Sequence, residues 1–86
     1  MADYSESIRS NPEFAPAYFN RACIFGGSGE FDRAIVDFTE AIRIDPIHAE
    51  AHFYRGMAYQ KKGKLADSES DFAIAEQLGY DPETAP

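Results

Sequence analysis

Two stretches that lie 34 residues apart decide the fold: Phe25-Gly26-Gly27-Ser28-Gly29-Glu30-Phe31 and Tyr59-Gln60-Lys61-Lys62-Gly63-Lys64-Leu65. Each begins with an aromatic residue, has a glycine at its fifth place and ends on an apolar residue. Glycine is a common residue where a helix gives way to a turn, because it adopts backbone angles that other residues avoid. The pair therefore predicts one turn that the chain uses twice.

The same offset aligns residues 15–48 with residues 49–82 over their whole length. Chance gives about two identities in such a comparison, from average residue frequencies. The sequence has eight: Ala15/Ala49, Ala17/Ala51, Phe19/Phe53, Arg21/Arg55, Gly29/Gly63, Asp37/Asp71, Phe38/Phe72 and Ala41/Ala75. A fixed period of this length predicts an array of repeated supersecondary units.

The glycine-rich stretch does not match a nucleotide-binding loop. A Walker loop continues with Lys and Ser/Thr after its last glycine, whereas Glu30 and Phe31 follow Gly29 here. A dinucleotide fingerprint would follow a strand, and no strand pattern precedes these residues. The stretch is interpreted as a turn between helices.

Apolar residues recur at helical spacing on both sides of each turn. The pattern predicts helices near residues 15–27, 31–44, 49–62 and 65–78. Pro46 follows Asp45 between the second and third of these segments, where a helix is expected to stop. Each 34-residue unit is therefore predicted to be a pair of helices.

Composition limits the function classes. The 86 residues carry a formal net charge of −7 and a pI near 4.6, which disfavours binding to nucleic acid or to an anionic membrane. The chain has one cysteine, so it forms no internal disulfide, and no apolar run approaches the ~20 residues of a membrane span. These features predict a soluble, cytoplasmic protein.

The motif residues of each unit resemble the tetratricopeptide repeat family, whose 34-residue pattern places small and aromatic residues at fixed points of two helices. The first unit has Tyr18, Arg21, Ala22, Phe25, Ala34, Phe38, Ala41 and Pro46 at those points, and the second has His52, Arg55, Gly56, Tyr59, Ser68, Phe72 and Ala75. The resemblance implies an all-α fold, a right-handed superhelical α-solenoid of antiparallel helix pairs.

The resemblance also divides the chain. Residues 1–86 are expected to form one domain, in which 15–48 is the first repeat, 49–82 the second and 83–86 a tail. Residues 2–12 align with the second helix of a repeat and are expected to be part of a preceding one. Because that helix has no first-helix partner in the chain, homodimerisation through residues 2–10 is the alternative function to peptide binding.

Membership of this family would imply a non-catalytic adaptor or scaffold that binds a protein or peptide segment in its concave groove, without a cofactor. Phe, Cys and Met stand where relatives that capture a C-terminal carboxylate carry Lys and Asn, so an apolar or aromatic segment is expected. The groove residues expected from the resemblance are Phe19, Asn20, Cys23, Phe53, Tyr54, Met57, Gln60 and Lys61, with Phe53, Tyr54 and Met57 as anchors. In the alternative interpretation, Phe19 and Phe53 pack between the repeats. Gly26 and Gly27 also stand at places that face the groove in this family, where they either open space for a ligand's backbone or form a frayed helix end.

Both units have an arginine where the family prefers leucine, and an aspartate 16 residues later. The recurrence predicts two ion pairs inside the repeats, Arg21 with Asp37 and Arg55 with Asp71. Binding of an acidic partner is the alternative role of these arginines.

Two other features have residue types that occur in metal or catalytic sites. His48 and His52 have the i, i+4 spacing of a zinc pair, but no third ligand is placed to complete a site, so no metal is expected. Cys23 has no neighbouring base in the pattern and is interpreted as a packing residue. Neither feature predicts an enzyme.

The last predicted helix differs in polarity from its counterpart. Four polar residues stand where the first unit has Ile35, Ile42, Ala34 and Val36: Glu69, Glu76, Ser68 and Ser70. Terminal repeats of a solenoid need a polar outer face, so the array is expected to end with this helix, and all four positions are expected to face outward.

Overall fold

A computed structural model describes residues 14–80, and in this part of the chain it consists of helices and turns without a strand. The helices are α1 (Ala15–Gly27), α2 (Phe31–Ile44), α3 (Ala49–Lys61) and α4 (Leu65–Gln77). The first two have the predicted bounds, and the last two end one residue earlier than predicted. The expected partial repeat at residues 2–12, the dimer segment at 2–10 and the tail at 83–86 lie outside the described residues.

The four helices form an α-solenoid of two antiparallel pairs. Helix α1 packs against α2 and α3 against α4, while α2 and α3 join the pairs and α1 also reaches α3. Short turns connect the members of each pair, and Asp45–His48 connects α2 to α3. The expected all-α solenoid class is confirmed.

Three glycines end helices in the left-handed region of backbone space, Gly29 at φ 84°, Gly63 at φ 79° and Gly79 at φ 94°. After α1, the amide of Glu30 donates to the carbonyl of Phe25 at 2.9 Å, and Lys64 donates to Tyr59 at the same distance after α3. Such bonds satisfy carbonyls that the helix leaves unpaired. The two stretches that revealed the repeat are therefore the same helix-terminating turn.

Small residues make up much of the core. Ala22, Ala34 and Ala51 are fully buried, and Phe38 at 2% exposure fills the space between them. Alanine brings neighbouring helix backbones close together, so a short chain packs two helix pairs with few large side chains.

One expectation about α4 is wrong. Glu69 and Glu76 are exposed as predicted, but Ser68 is 2% exposed and belongs to the core, like its buried counterpart Ala34. Positions 34 and 68 face the partner helix in both repeats, so a small residue is required there and its polarity is secondary.

The two predicted ion pairs are confirmed. Arg21 donates from Nε and Nη2 to the two carboxylate oxygens of Asp37 at 2.7 and 2.8 Å. Arg55 makes the same two bonds to Asp71, both at 2.8 Å. These hydrogen bonds raise the pKa of both guanidinium groups. Because the aspartates are almost fully buried, each pair ties the first helix of its repeat to the second.

The described helices are all too short or too polar to cross a lipid bilayer.

Candidate functional site

An open groove of about 420 Å³ lies between the two repeats. Its walls come from the C-terminal half of α1, from two positions of α2 and from the facing side of α3. The lining residues are Cys23, Gly26, Gly27, Phe31, Phe38, Tyr54, Met57, Ala58 and Lys61. Most of this surface is aromatic, aliphatic or sulfur-containing, so the groove suits an apolar ligand.

Aromatic packing holds the floor of the groove in place. The ring of Tyr54 stacks on Phe38 with centroids 6.3 Å apart and an interplanar angle of 17°. Burial raises the pKa of the Tyr54 phenol, and a hydrogen bond to Tyr80 acts in the same direction. The side chain is thus uncharged at neutral pH and is held by contacts on two sides.

Met57 and Lys61 form the α3 edge of the groove. Met57 is 39% exposed, and the exposed Lys61 follows it by one helical turn. A flexible thioether adapts to apolar partners of different shapes. The site therefore presents an adaptable apolar surface beside a single lining cation.

Cys23 lines the α1 wall opposite this edge. Cys23 is exposed at the surface, but partial burial by the groove wall raises the pKa of its thiol, and the negative charge of Glu50 raises that pKa further. A thiol with a raised pKa is a poor nucleophile at neutral pH, because the thiolate is the reactive form. The side chain contributes a small apolar surface to the groove.

The structure separates the eight predicted groove residues into two sets. Cys23, Tyr54, Met57 and Lys61 line the groove together. The other four do not line it: Phe19, Asn20, Phe53 and Gln60. Their roles in binding stay predictions.

The two phenylalanines of that second set have packing contacts. Phe19 lies 5.8 Å from Phe38 of its own repeat and 5.9 Å from Tyr54 of the next, measured between ring centroids. Phe53 lies 5.2 Å from Phe72 and 4.6 Å from Tyr80. This is the packing between helices and repeats that the sequence left open as an alternative.

The sequence did not predict three of the lining residues: Phe31, Phe38 and Ala58. The two phenylalanines belong to α2, whereas the family pattern directs attention to the first helix of each pair. Gly26 and Gly27 were expected at the groove from the family pattern, and both line it.

The two histidines do not act together. Nε2 of His52 is 3.1 Å from the carbonyl oxygen of Pro46, and the ring of His48 lies 4.5 Å from that of Phe19. Within residues 14–80 there is no cluster of three or more potential metal ligands.

Residues 24–63, which run from the end of α1 through α2 and α3, match the family model described as TPR repeat. The chain carries tetratricopeptide repeats. No protein among the curated sequences matches it.

Solved tetratricopeptide structures resemble this one. The TPR domain of Arabidopsis OM64 is 33% identical with a TM-score of 0.86, over 88% of this chain and 63% of that one. The TPR2B domain of yeast Sti1, in a complex with pHsp70, is 29% identical with a TM-score of 0.84, over 87% and 60%.

YrrB, described as a TPR protein with an unusual peptide-binding site, is 26% identical with a TM-score of 0.85, over 91% of this chain and 40% of that one. The chain thus spans 40 to 63% of these three structures. The repeat match and these structures support a protein-interaction module.

Proposed function

We propose that the chain binds an apolar or aromatic peptide segment of another protein in the groove between its two repeats and acts as an adaptor or scaffold. The observation that carries the proposal is the 420 Å³ groove itself, which is lined almost entirely by apolar groups and remains open to solvent. Its volume lies in the usual range of ligand sites, about 300–1,000 Å³.

The exposure of Met57 supports this proposal. A side chain that served only the core would be covered, whereas Met57 is 39% exposed at the edge of the groove. Covering its accessible surface with an apolar ligand group is favourable, by about 25 cal/mol per Å² removed from water. Binding then arises from recognition by a groove that exists before the ligand arrives.

The likeness to YrrB, described as having an unusual peptide-binding site, and to the Sti1 domain in its complex with pHsp70 points in the same direction. The ligand class proposed here differs from a bare C-terminal carboxylate. Among the groove-lining residues Lys61 is the single cation, so the groove lacks a cluster of basic groups, and its aromatic walls favour apolar side chains.

The experiment is a selection of displayed random 12-residue peptides on the purified 86-residue chain, with Met57→Asp as the comparison variant. Met57 is exposed, so a carboxylate at this position is tolerated by the fold but places a charge at the groove edge. We expect selected peptides rich in Leu, Ile, Phe, Tyr and Trp, and a loss of affinity for the variant of at least about tenfold, the 1.4 kcal/mol that one buried apolar contact provides.

Glu69→Asp is the matched control, because Glu69 is exposed on α4 and lies outside the groove lining. Peptides that bind both variants equally would place the binding surface elsewhere. Selected peptides dominated by charged residues would contradict the proposed ligand class.

A further inference from the structure

We propose that Gly26 and Gly27 are specificity-determining residues: they leave room in the groove for an aromatic side chain of the ligand, next to a ligand carboxylate that pairs with Lys61. The inference rests on the proposed function, because it specifies which apolar segment the groove takes.

The backbone does not require glycine at positions 26 and 27. Both lie inside α1 and neither has a positive φ; the left-handed residue of the turn is Gly29. Helix α3 makes the same turn with Gln60 and Lys61 at the equivalent positions. The terminal hydrogen bonds are also the same, since Gly29 donates to Gly26 at 3.2 Å and Gly63 donates to Gln60 at 3.0 Å.

Packing does not require glycine there either. A β-carbon on Gly27 would meet no atom within 4 Å, and one on Gly26 would lie 3.9 Å from Cβ of Ala34, an ordinary contact. Glycine is among the poorest helix formers, so two in succession weaken the end of α1. The remaining effect of both glycines is the absence of side chains from the groove wall that they form.

The space left open has an aromatic surround. Phe31 and Phe38 face it from α2 and Tyr54 from α3, and all three line the groove. Aromatic rings pair favourably with one another in tilted or offset arrangements beyond the area they bury. A flat ring that enters above the glycines would meet such partners, whereas a small aliphatic side chain would leave part of the 420 Å³ unfilled.

Lys61 supplies charge complementarity. It is the single charged residue of the lining, and it makes no ion pair with any residue between 14 and 80. Its neighbour Lys62 differs, because its Nζ is 2.6 Å from a carboxylate oxygen of Asp32. The unpaired ammonium group at the groove edge fits a carboxylate carried next to the ligand's aromatic ring.

The test uses capped synthetic pentapeptides and the ¹⁵N-labelled 86-residue chain, with amide chemical shifts as the readout. The first peptide is acetyl-Ser-Glu-Trp-Glu-Ser-amide; in matched peptides Leu or Ala replaces Trp, or Gln replaces both Glu. We expect the first peptide to shift the amides of Gly26, Gly27, Met57 and Lys61, with the Leu and Ala peptides binding progressively more weakly.

Two variants isolate the glycine effect. Gly27→Gln places a long, uncharged polar side chain on the groove wall, where the second repeat has the long side chain of Lys61, and Gly27→Ala adds a single methyl group. Both should raise Tm by about 4 °C, since both improve helix propensity in a small domain. We expect Gly27→Gln to weaken binding of the Trp peptide at least fivefold more than Gly27→Ala does.

The outcomes separate this inference from the proposed function. Equal binding by Gly27→Gln and Gly27→Ala, or equal affinity for the Trp and Leu peptides, would overturn the inference while groove binding stands. If no peptide shifts any groove amide, both fail.

The role of Lys61 is tested separately. The peptide with two Glu residues should bind more tightly than the matched peptide with two Gln residues, and Lys61→Met should abolish that difference. Equal affinity of the two peptides for the unmodified chain would overturn the carboxylate assignment.

Discussion

The two repeats share one clamp, an ion pair between an arginine of the first helix and an aspartate of the second, and the second repeat also bonds to the first through it. In the first, Arg21 clamps Asp37 between α1 and α2. In the second, Arg55 clamps Asp71 in the same way and also donates to Oγ1 of Thr39 at 3.2 Å, across the boundary between repeats. An intra-repeat clamp that reaches its neighbour couples the stability of the two units, as expected for a solenoid in which each unit contacts the next.

The two repeats differ on the groove side of their first helices. The long side chains of Gln60 and Lys61 end α3, whereas Gly26 and Gly27 end α1 without side chains. The residues that recur between the repeats are mainly those that pack or turn the backbone. The residues that differ at equivalent places determine the shape and charge of the groove. Comparing the two repeats therefore distinguishes residues that maintain the fold from residues that shape the groove.

The largest expected loss of stability comes from removing the aspartate of either ion pair. Asp71→Ala would leave Arg55 without its buried partner and should lower the free energy of unfolding by about 3 kcal/mol, the lower end for a broken buried pair. Asp37→Ala should cost less, about 2 kcal/mol, because the Arg21 side chain is 24% exposed against 17% for Arg55 and regains more hydration. Urea denaturation followed by circular dichroism measures both.

The control for this comparison is Glu69→Ala, a carboxylate removed from the exposed face of α4. It should change stability by less than about 0.5 kcal/mol. If Asp71→Ala lowered the free energy of unfolding no more than this control, the Arg55–Asp71 pair would not hold the two helices of its repeat together. If Asp37→Ala were the more damaging of the two, the ranking by solvent access would be wrong.

A smaller effect on stability is expected at the position where the two helices of each repeat approach most closely, because the two repeats have different residues there. The first repeat has Ala22, fully buried, and the second has Gly56 at the equivalent place. A β-carbon on Gly56 would lie 3.0 Å from two ring carbons of Phe72 and 3.2 Å from Cβ of Asp71. Gly56→Ala should therefore destabilise the chain by about 1 kcal/mol, since the crowding exceeds the gain in helix propensity.

The matched change in the other repeat is Ala22→Gly. It should cost about 2 kcal/mol, through lost helix propensity and a lost core methyl group. Thermal unfolding of the two single variants checks this. A gain in stability from Gly56→Ala would mean that the ring of Phe72 moves aside easily, and the two helix contacts would then be interchangeable.

Repetition made most of the fold predictable from sequence. Each repeat offers the same turn glycine and the same apolar spacing, so two weak signals support one another, and the ion pairs followed from the recurrence of Arg21/Asp37 as Arg55/Asp71. The error at Ser68 came from judging a helix face by polarity. A buried position that requires a small residue accepts serine as well as alanine, and this requirement is set by the facing helix.

The candidate site was less predictable for a physical reason. A groove is empty space, and its shape depends on absent side chains and on residues contributed by a second helix. The family pattern identified the α3 edge at Met57 and Lys61, but missed Phe31 and Phe38 on α2. Phe19 was expected in the groove because its position often faces a ligand, yet its ring packs against Phe38 and Tyr54.

The smallest effect concerns Cys23, which stands where the second repeat has Met57. Burial, followed by the charge of Glu50, raises the pKa of the thiol above its ordinary value near 9.0. The folded chain should thus react with iodoacetamide at pH 8 more slowly than the chain unfolded in urea. Glu50→Gln should speed the reaction, because removal of the negative charge favours the thiolate.

The same pKa shift predicts the sign of a stability change. Because the thiol in the unfolded chain ionises first, its contribution to stability is complete below pH 9 and is lost as the pH rises through the raised folded value. Cys23→Met copies the second repeat and removes this contribution while keeping an apolar group. Urea midpoints measured from pH 7 to 10 should fall less steeply for the variant than for the unmodified chain. Parallel curves would mean that the thiol is as well solvated as in the unfolded chain, and the α1 wall of the groove would then be wetter than its partner wall on α3.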